Sequence, residues 1–255
     1  EVGDRVTRFE AGDRVVVDPG LYCGECEFCR KGEQSMCVDY KMMGEHVRGV
    51  HSELAAVPED NLITLPEDVD FVTAASAPLV FQTAWRMLMT RVGIDQSDSV
   101  LVLGASGGVG HACVQIAANE GCEVFATASS EEKLDLAREC GADHLINYEE
   151  EDFADAAKEL TDGRGVDVVV DHVGEATWDT SLSAAANGGS IVTCGATSGI
   201  SPETNIPKVV WKQLDILGST MGTPGEMDEV MAKVFGGTFE PDGREVVPMG
   251  EIGCG

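Results

Sequence analysis

The sequence predicts a doubly wound α/β fold, in which helices cover both faces of a six-stranded parallel sheet. Six apolar segments alternate with helix-forming segments between residues 99 and 235, and this alternation is typical of βαβ units. The first apolar segment ends in a glycine-rich turn at 104–110, which runs straight into a helical stripe. A glycine turn at the first strand–helix junction is the pattern of a doubly wound sheet.

The individual elements are expected in the following order. Residues 72–90 are rich in alanine and lack glycine, and they predict a helix broken near Pro78. The predicted strands are 99–105, 123–128, 144–148, 166–173, 190–195 and 215–219. The predicted helices are 109–120, 131–140, 151–160, 176–186, 206–214 and 225–235, with Gly141 and Gly188 closing the second and the fourth.

The first 65 residues predict short β-segments separated by turns. Residues 14–17 form an apolar run before Asp18-Pro19-Gly20, and residues 53–57 form another before Pro58. This region therefore predicts a β-rich unit that precedes the alternating one.

Four cysteines lie close together in the first region, with the spacing C-x2-C-x2-C-x7-C. Four thiolates satisfy a closed tetrahedral zinc site that has no open position for chemistry. The bacterial iron–sulfur pattern needs C-x3-C-P at its end, whereas here the last gap is seven residues and Val38 follows. A structural zinc is favoured over a cluster, disulfides or a nucleic-acid-binding finger. The expected ligands are Cys23, Cys26, Cys29 and Cys37.

The composition is strongly acidic. Acidic residues number 45 against 17 basic ones, a formal net charge of −28, which argues against nucleic acid or anionic lipid as partners. The acids are spread along the chain and arginine outnumbers lysine, which favours adaptation to high salt over an ordinary acidic protein. No apolar run approaches the ~18–20 residues that span a bilayer, and the N-terminus lacks signal-peptide features. A cytoplasmic protein is expected.

The glycine turn at 104–110 predicts a dinucleotide-binding site. Glycines let the turn close and let the backbone approach a pyrophosphate, which rests on the N-terminus of the following helix. A lone glycine motif is weak, but this one lies at the first junction of the alternating unit. The alternative is a glycine-rich packing turn.

The end of the second strand bears on the choice between NAD and NADP. An NAD site usually places an acidic residue there to hold the ribose 2′-hydroxyl, whereas this chain has Ala128-Ser129-Ser130. Small hydroxyl side chains leave room for a 2′-phosphate, and Lys133 lies one turn further on to neutralise it. NADP is therefore favoured, with NAD and a solvated Lys133 as the alternative.

A cysteine lobe followed by this turn resembles the medium-chain dehydrogenase/reductase superfamily, which includes zinc alcohol dehydrogenases and quinone or enone reductases. Residues 2–6 and 11–15 look like its paired VGxxV and GDRV segments, and residues 23–37 look like its structural-zinc lobe. Further segments with the family pattern are 131–133, 141–144, 165–168 and 192–195.

The resemblance implies three regions and a chain that is a fragment. Residues 1–72 resemble a partial GroES-like catalytic domain with the zinc lobe at 23–37, residues 73–236 a Rossmann domain, and residues 237–255 a return to the catalytic domain. It also implies roles in cofactor binding for the residues of the turn, for three at the adenosine phosphate end and for three near the nicotinamide. These residues are Gly104, Gly107, Gly108, Val109 and Gly110, then Ser129, Lys133 and Tyr148, then Thr83, Cys194 and Gly195.

A catalytic zinc is not expected. The family positions of its first two ligands lie before residue 1, and the position of the third is taken by Val80 or Phe81, which do not ligate metals. His46 and His51 are expected at the surface. His172, at the end of the fourth strand, lies at the sheet edge where ligands bind, so it is expected to line the cofactor cleft.

The resemblance therefore implies an NAD(P)H-dependent oxidoreductase that transfers hydride to a quinone, enone or carbonyl substrate. No general acid is identified in the sequence. The alternatives are a zinc alcohol dehydrogenase with ligands upstream of residue 1, and a non-catalytic sensor that binds NADP(H). A homodimer or homotetramer is expected from the resemblance alone.

Overall fold

The structure is a computed structural model, which describes residues 1–243 and 246–251. The chain forms two compact units, one made of Glu1–Gln82 with Met221–Gly255 and the other of Thr83–Thr220. The boundary between the two units thus lies between Gln82 and Thr83, ten residues after the predicted boundary at 72/73. The helix that follows Met221 belongs to the first unit instead of the second. The predicted region 237–255 is described except at 244–245 and 252–255.

The first unit contains short elements. Strands β1 (Val15–Val17) and β4 (Leu62–Thr64) pair antiparallel, as do β2 (Gly20–Leu21) and β3 (Lys41–Met42). Helix α1 spans Glu27–Arg30, and α2 spans Phe71–Ala75 after its cap, Asp70. The strand expected at 53–57 was wrong, because these described residues form none. Leu54 is 92% exposed, and a strand needs a paired neighbour to persist.

The predicted break at Pro78 is confirmed. Helix α3 begins at Pro78 and ends at Trp85, and a π-helical turn at Arg86–Val92 continues it. Gly93 ends this turn with φ of +78°, the left-handed conformation that commonly terminates a helix.

The second unit contains the predicted six-stranded parallel sheet. Its strands are β5 (Ser99–Val102), β6 (Glu123–Ala128), β7 (His144–Asn147), β8 (Val166–Val170), β9 (Ala185–Thr193) and β10 (Asp215–Gly218). Its helices are α4 (Gly108–Asn119), α5 (Glu131–Glu139), α6 (Phe153–Leu160), α7 (Trp178–Ala184) and α8 (Ile206–Lys212), and α9 (Pro224–Phe235) follows in the first unit.

The strand order is β10-β9-β8-β5-β6-β7. This is the doubly wound order, in which β6 and β7 are added on one side of β5 and β8, β9 and β10 on the other, so that the strand order reverses between β5 and β8. Every residue of β5 is buried, because helices cover both faces of the sheet. The core on one face packs large side chains from several elements. They include Leu101, Phe125, Ile146, Val169, Leu182 and Ile191.

One predicted boundary was wrong. The helix expected at 176–186 ends at Ala184, and β9 begins at Ala185 instead of at 190. Ala185 pairs with Val166, and the register then shifts so that Ser190 pairs with Val168. Gly188, with φ of +78°, lies within this irregular pairing instead of closing a helix. Alanine by itself favours a helix, and here the pairing with β8 overrides that preference.

No helix among the described residues has the length and apolar character required to cross a membrane.

Candidate metal centre and cofactor site

The four cysteines predicted to bind metal converge in the first unit. Their sulfur atoms all lie within 4.8 Å of one another, and the Sγ atoms of Cys23 and Cys29 are 4.0 Å apart. Zinc–sulfur bonds of about 2.3 Å in a tetrahedron would place the sulfurs about 3.8 Å apart. The cysteine positions therefore fit a zinc ion.

Backbone amides point at these sulfurs. Cys26 N donates to Cys23 Sγ at 3.3 Å, Cys29 N to Cys26 Sγ at 3.5 Å, and Asp39 N to Cys37 Sγ at 3.4 Å. Such bonds favour the thiolate, and the amides of Cys29 and Val38 lower the pKa of Cys26 to about 6. By contrast, burial and the neighbouring Cys26 raise the pKa of Cys29. Four ionised sulfurs at this distance need a cation among them, which zinc supplies.

No second group of three or more metal-ligating side chains occurs within the described ranges. His46 and His51 are exposed, as predicted. Phe81 is fully buried, and its ring stacks on Phe239 with the centroids 5.4 Å apart. Phe81, one of the two residues at which a third zinc ligand was considered, thus serves in packing.

The glycine turn lies at the carboxyl end of β5, next to the point where the strand order of the sheet reverses. Gly104 has φ of +58°, which L-residues with side chains rarely adopt. A Cβ added at Gly110 would clash with the carbonyl oxygen of Gly104 and lie 2.9 Å from Ala105 Cα. Helix α4 can pack this closely against the turn only because both positions are glycine.

The N-terminus of α4 is open to an anion. Its cap residue is Gly107, and no side chain of the described residues caps this helix end. The first amides of a helix lack partners inside the helix and carry a partial positive charge. Together with the close approach at Gly110, this arrangement fits the pyrophosphate of a dinucleotide.

The residues predicted for the adenosine phosphate end lie together. Lys133 Nζ donates to Ser129 Oγ at 3.0 Å, across the first turn of α5. The backbone N of Tyr148 donates to the carbonyl oxygen of Ala128 at 3.2 Å, and the Tyr148 side chain is 45% exposed. The carboxyl ends of β6 and β7 therefore present hydroxyl groups and one cation to solvent.

The carboxyl ends of β8 and β9 meet beside the turn. A Cβ added at Gly104 would lie 3.5 Å from His172 Nε2, and one added at Gly195 would lie 3.8 Å from the carbonyl oxygen of His172. Burial raises the pKa of Cys194 to about 11, so its thiol is neutral at pH 7. Thr83 is a buried residue of α3, and its proposed place near the nicotinamide stays a prediction.

Asp171 is a positioning residue that the sequence alone did not reveal. It is fully buried, and its carboxylate accepts bonds from Val173 N and Gly174 N at 3.0 Å and from Ser181 Oγ at 2.7 Å. Thr177 Oγ1 donates to it as well. These bonds hold the loop after β8 in place. The available signal was an acid directly after the apolar run 168–170.

Comparisons with known proteins agree with this geometry. Residues 108–236 match the zinc-binding dehydrogenase family, and residues 1–67 match the alcohol dehydrogenase GroES-like domain. A quinone oxidoreductase of Pseudomonas aeruginosa is 33% identical over 92% of this chain and 66% of its own length. An acryloyl-coenzyme A reductase of Metallosphaera sedula is 31% identical over 100% of this chain and 75% of its own.

A crystal structure of an NAD-dependent alcohol dehydrogenase superposes with a TM-score of 0.90 at 41% identity, covering 94% of this chain and 70% of that one. The chain thus spans between about two thirds and three quarters of the length of these proteins. The fold and the predicted resemblance are confirmed. The chain belongs to the medium-chain dehydrogenase/reductase family of NAD(P)-dependent oxidoreductases.

Proposed function

We propose that this chain is part of an NAD(P)H-dependent reductase whose substrates are quinones, enones or carbonyl compounds, and that its zinc is structural. The observation that carries the proposal is Phe81. Its ring is fully buried and stacks on Phe239, and by the resemblance either Phe81 or the equally non-ligating Val80 takes the place of the third ligand of a catalytic zinc. Two of the relatives, named a quinone oxidoreductase and an acryloyl-coenzyme A reductase, act on substrates of this class.

The chain's part in the reaction is to bind and orient. When bound, the reduced nicotinamide supplies the hydride. Gly108 and Val109 offer backbone amides and the positive end of α4 to the pyrophosphate. Gly107 caps this helix, and its own N–H closes the turn on the Gly104 carbonyl oxygen at 2.9 Å. Thr83, Cys194 and Gly195 are proposed to lie near the nicotinamide. The neutral Cys194 thiol brings no charge to that place, because burial raises its pKa.

NADP is the proposed cofactor form. The Ser129–Lys133 pair, 3.0 Å apart, provides a cation and a hydroxyl where a 2′-phosphate would lie, and residues 128–130 carry no acid. A phosphate gains charge-assisted hydrogen bonds from such groups, whereas a ribose 2′-hydroxyl prefers a carboxylate. Tyr148 is proposed to complete this end of the site.

Steady-state oxidation of NADPH by the full-length protein, with a panel of quinones, enones and aldehydes, tests the function. We expect turnover with at least one of these classes and one zinc per chain by mass spectrometry. Two zincs per chain with oxidation of alcohols would establish the zinc alcohol dehydrogenase instead. Tight NADPH binding without turnover would contradict an enzyme and establish the NADP(H) sensor.

A homodimer through the edge of the sheet is proposed. Strand β10 ends the sheet, and α8, which packs against the neighbouring strand β9, leaves Ile206, Val210 and Trp211 between 60% and 83% exposed. An apolar surface next to an unpaired strand edge favours association with a second copy. Light scattering should give twice the mass of one chain, and Trp211→Glu should shift the mass toward that of one chain; a tetramer would give four times the mass.

We also propose a cytoplasmic, salt-adapted protein. Eight cysteines of the described residues form no disulfide, the state expected in a reducing compartment. The net charge of −28 destabilises the compact state through self-repulsion, which salt screens. The unfolding midpoint should therefore rise between 0.1 M and 2 M KCl, and an unchanged or lower midpoint would argue for an ordinary acidic protein.

A further inference from the structure

His172 lies between the loop after β8 and the glycine turn. The ring is half-buried, and its Nε2 would be 3.5 Å from a Cβ added at Gly104. The other ring nitrogen, Nδ1, is buried and has no hydrogen-bond partner in the part of the chain that the structure describes. The nearest carboxylate in sequence, Asp171, is instead occupied by its own loop and by Ser181.

This difference between the two nitrogens determines where the ring carries its proton. A neutral imidazole has one N–H donor and one acceptor nitrogen, and a buried N–H without an acceptor is rarer in proteins than an unsatisfied acceptor. Burial lowers the pKa of His172, so the ring is neutral at pH 7 and above. The proton therefore belongs on Nε2, the nitrogen beside Gly104.

We propose that His172 is a cofactor-binding residue, which donates its Nε2–H to an oxygen of the cofactor's pyrophosphate. The inference rests on the proposed dinucleotide site. Gly104 begins the turn that leads into α4, whose first residues, Gly108 and Val109, offer amides to the same anion. The side chain thus adds a neutral donor from the loop after β8 to the donors of α4, and Asp171 holds that loop in place.

Substitutions that mimic one ring nitrogen at a time test this role. The side-chain nitrogen of Gln reaches the position of Nε2, and that of Asn reaches the position of Nδ1. We expect NADPH affinity, measured by fluorescence titration of the full-length protein, to stay within about twofold in His172→Gln. In His172→Asn and His172→Ala it should fall by about tenfold, the amount expected for one hydrogen bond to a charged group.

The outcomes separate this inference from the proposed function. Failure of the unsubstituted protein to bind NADPH would overturn the proposed function itself. Normal binding by all three variants, or retained binding by Asn with loss in Gln, would overturn the role of His172. As a control, His144→Asn changes a histidine at the opposite, amino-terminal edge of the sheet, where it bonds Glu123, and NADPH affinity should not change.

Histidine-selective ¹⁵N NMR of the unsubstituted protein gives a second readout that does not depend on the folding of variants. We expect the chemical shifts of the neutral Nε2–H tautomer for His172, and a change at Nε2 larger than at Nδ1 when NADPH is added. A protonated Nδ1, or no response of His172 to saturating NADPH, would contradict the proposal.

Discussion

The metal centre and the cofactor site of this chain are built in opposite ways. The centre at 23–37 uses four side-chain sulfurs on short elements, such as the four-residue helix α1. The cofactor site uses backbone groups at the edge of a sheet whose central strand is buried along its whole length. We therefore expect the first site to need its ion for stability, and the second to form without its ligand.

The surroundings of the two sites show why they differ. Val38, next to the ligand Cys37, is 76% exposed, and the lobe has little apolar surface to bury. Around the glycine turn, Leu101, Val102 and Leu103 are at most 2% exposed. Burial of apolar area stabilises the second region, so ligation must stabilise the first.

The largest expected effect is the loss of one buried sulfur ligand. Cys37→Ser should abolish stoichiometric zinc binding, because three thiolates and a hydroxyl hold zinc far less tightly than four thiolates. The lobe should then lose its protection in hydrogen exchange at residues 23–37, while β5 and β6 keep theirs. Zinc content by mass spectrometry and peptide-resolved exchange measure both effects.

Cys122→Ser is the matched control. Cys122 is also buried, but its thiol bonds the Asp95 carbonyl oxygen at 3.2 Å and is outside the metal centre. This variant should keep one zinc per chain. One zinc per chain retained by Cys37→Ser, or zinc lost from Cys122→Ser alone, would contradict the assignment of the metal site to the lobe.

The second largest effect is expected at the glycine turn, where one added methyl group should disrupt the cofactor site. Gly110→Ala places a Cβ against the Gly104 carbonyl and 2.9 Å from Ala105 Cα, and overpacking of this kind costs about 1–3 kcal/mol. Cofactor binding should be lost with the shape of the turn. Denaturant unfolding and NADPH titration are the measurements.

Gly218→Ala, at a glycine of the same unit, is the control. Among the described residues, nothing lies within 4 Å of a Cβ added there, so the substitution should leave stability within about 0.5 kcal/mol. Equal destabilisation by both changes would mean that the close approach at Gly110 is not what requires glycine.

The third effect is smaller and changes the cofactor preference. Lys133→Ala removes the cation beside Ser129 Oγ and should weaken NADPH by about tenfold, with NADH affected far less. Lys158→Ala, on α6, should leave both affinities unchanged. Equal loss of NADPH and NADH affinity in Lys133→Ala would show that this lysine does not recognise the 2′-phosphate.

The smallest expected effect is the loss of stability of the second unit when the Asp167 carboxyl is protonated at low pH. Burial raises the pKa of Asp167, but hydrogen bonds from Arg164 and Ser99 outweigh it and leave the pKa below its ordinary value. A carboxyl with a lowered folded pKa stabilises the fold above the unfolded pKa of about 3.9, and this stabilisation disappears as pH falls through the folded value. Asp167→Asn should therefore cost at most about 1 kcal/mol at pH 7, because solvent screens a carboxyl that is only partly buried, and nothing once the pH is below the folded pKa.

The metal centre should respond to acid at a higher pH, because its thiolates must lose their protons to hold zinc. Zinc release at a pH at which the sheet is still folded would sharpen the contrast between the two regions. Simultaneous loss of zinc and of the sheet's circular dichroism would contradict it.

The sequence predicted features that depend on local pattern. The six strands of the sheet were predicted from continuous apolar runs, since buried parallel strands carry few polar residues. The metal ligands were predicted because they lie within fifteen residues, Cys23 to Cys37. The ends of α7 and β9 were misplaced because residues 184–186 are alanines, whose conformation depends on pairing with a distant strand.

The contacts between residues of the cofactor site could be seen only in the structure, for a related reason. His172 and Gly104 are far apart in the sequence, and only the strand order brings them together. The role of Asp171 depends on donors from four other residues, which no short motif contains. A fold can therefore be predicted from local pattern, whereas the contacts within its site depend on the sheet.

One measurement tests the contrast between the two sites most directly. The full-length protein, stripped of zinc by a chelator, is examined by hydrogen exchange with and without NADPH. We expect the amides of residues 23–37 to exchange freely with and without NADPH. The amides of residues 104–110 should exchange more slowly when NADPH is added, as they do in the zinc-bound protein. Loss of NADPH protection at 104–110 on zinc removal alone, reversed when zinc is restored, would contradict a cofactor site that forms without the metal.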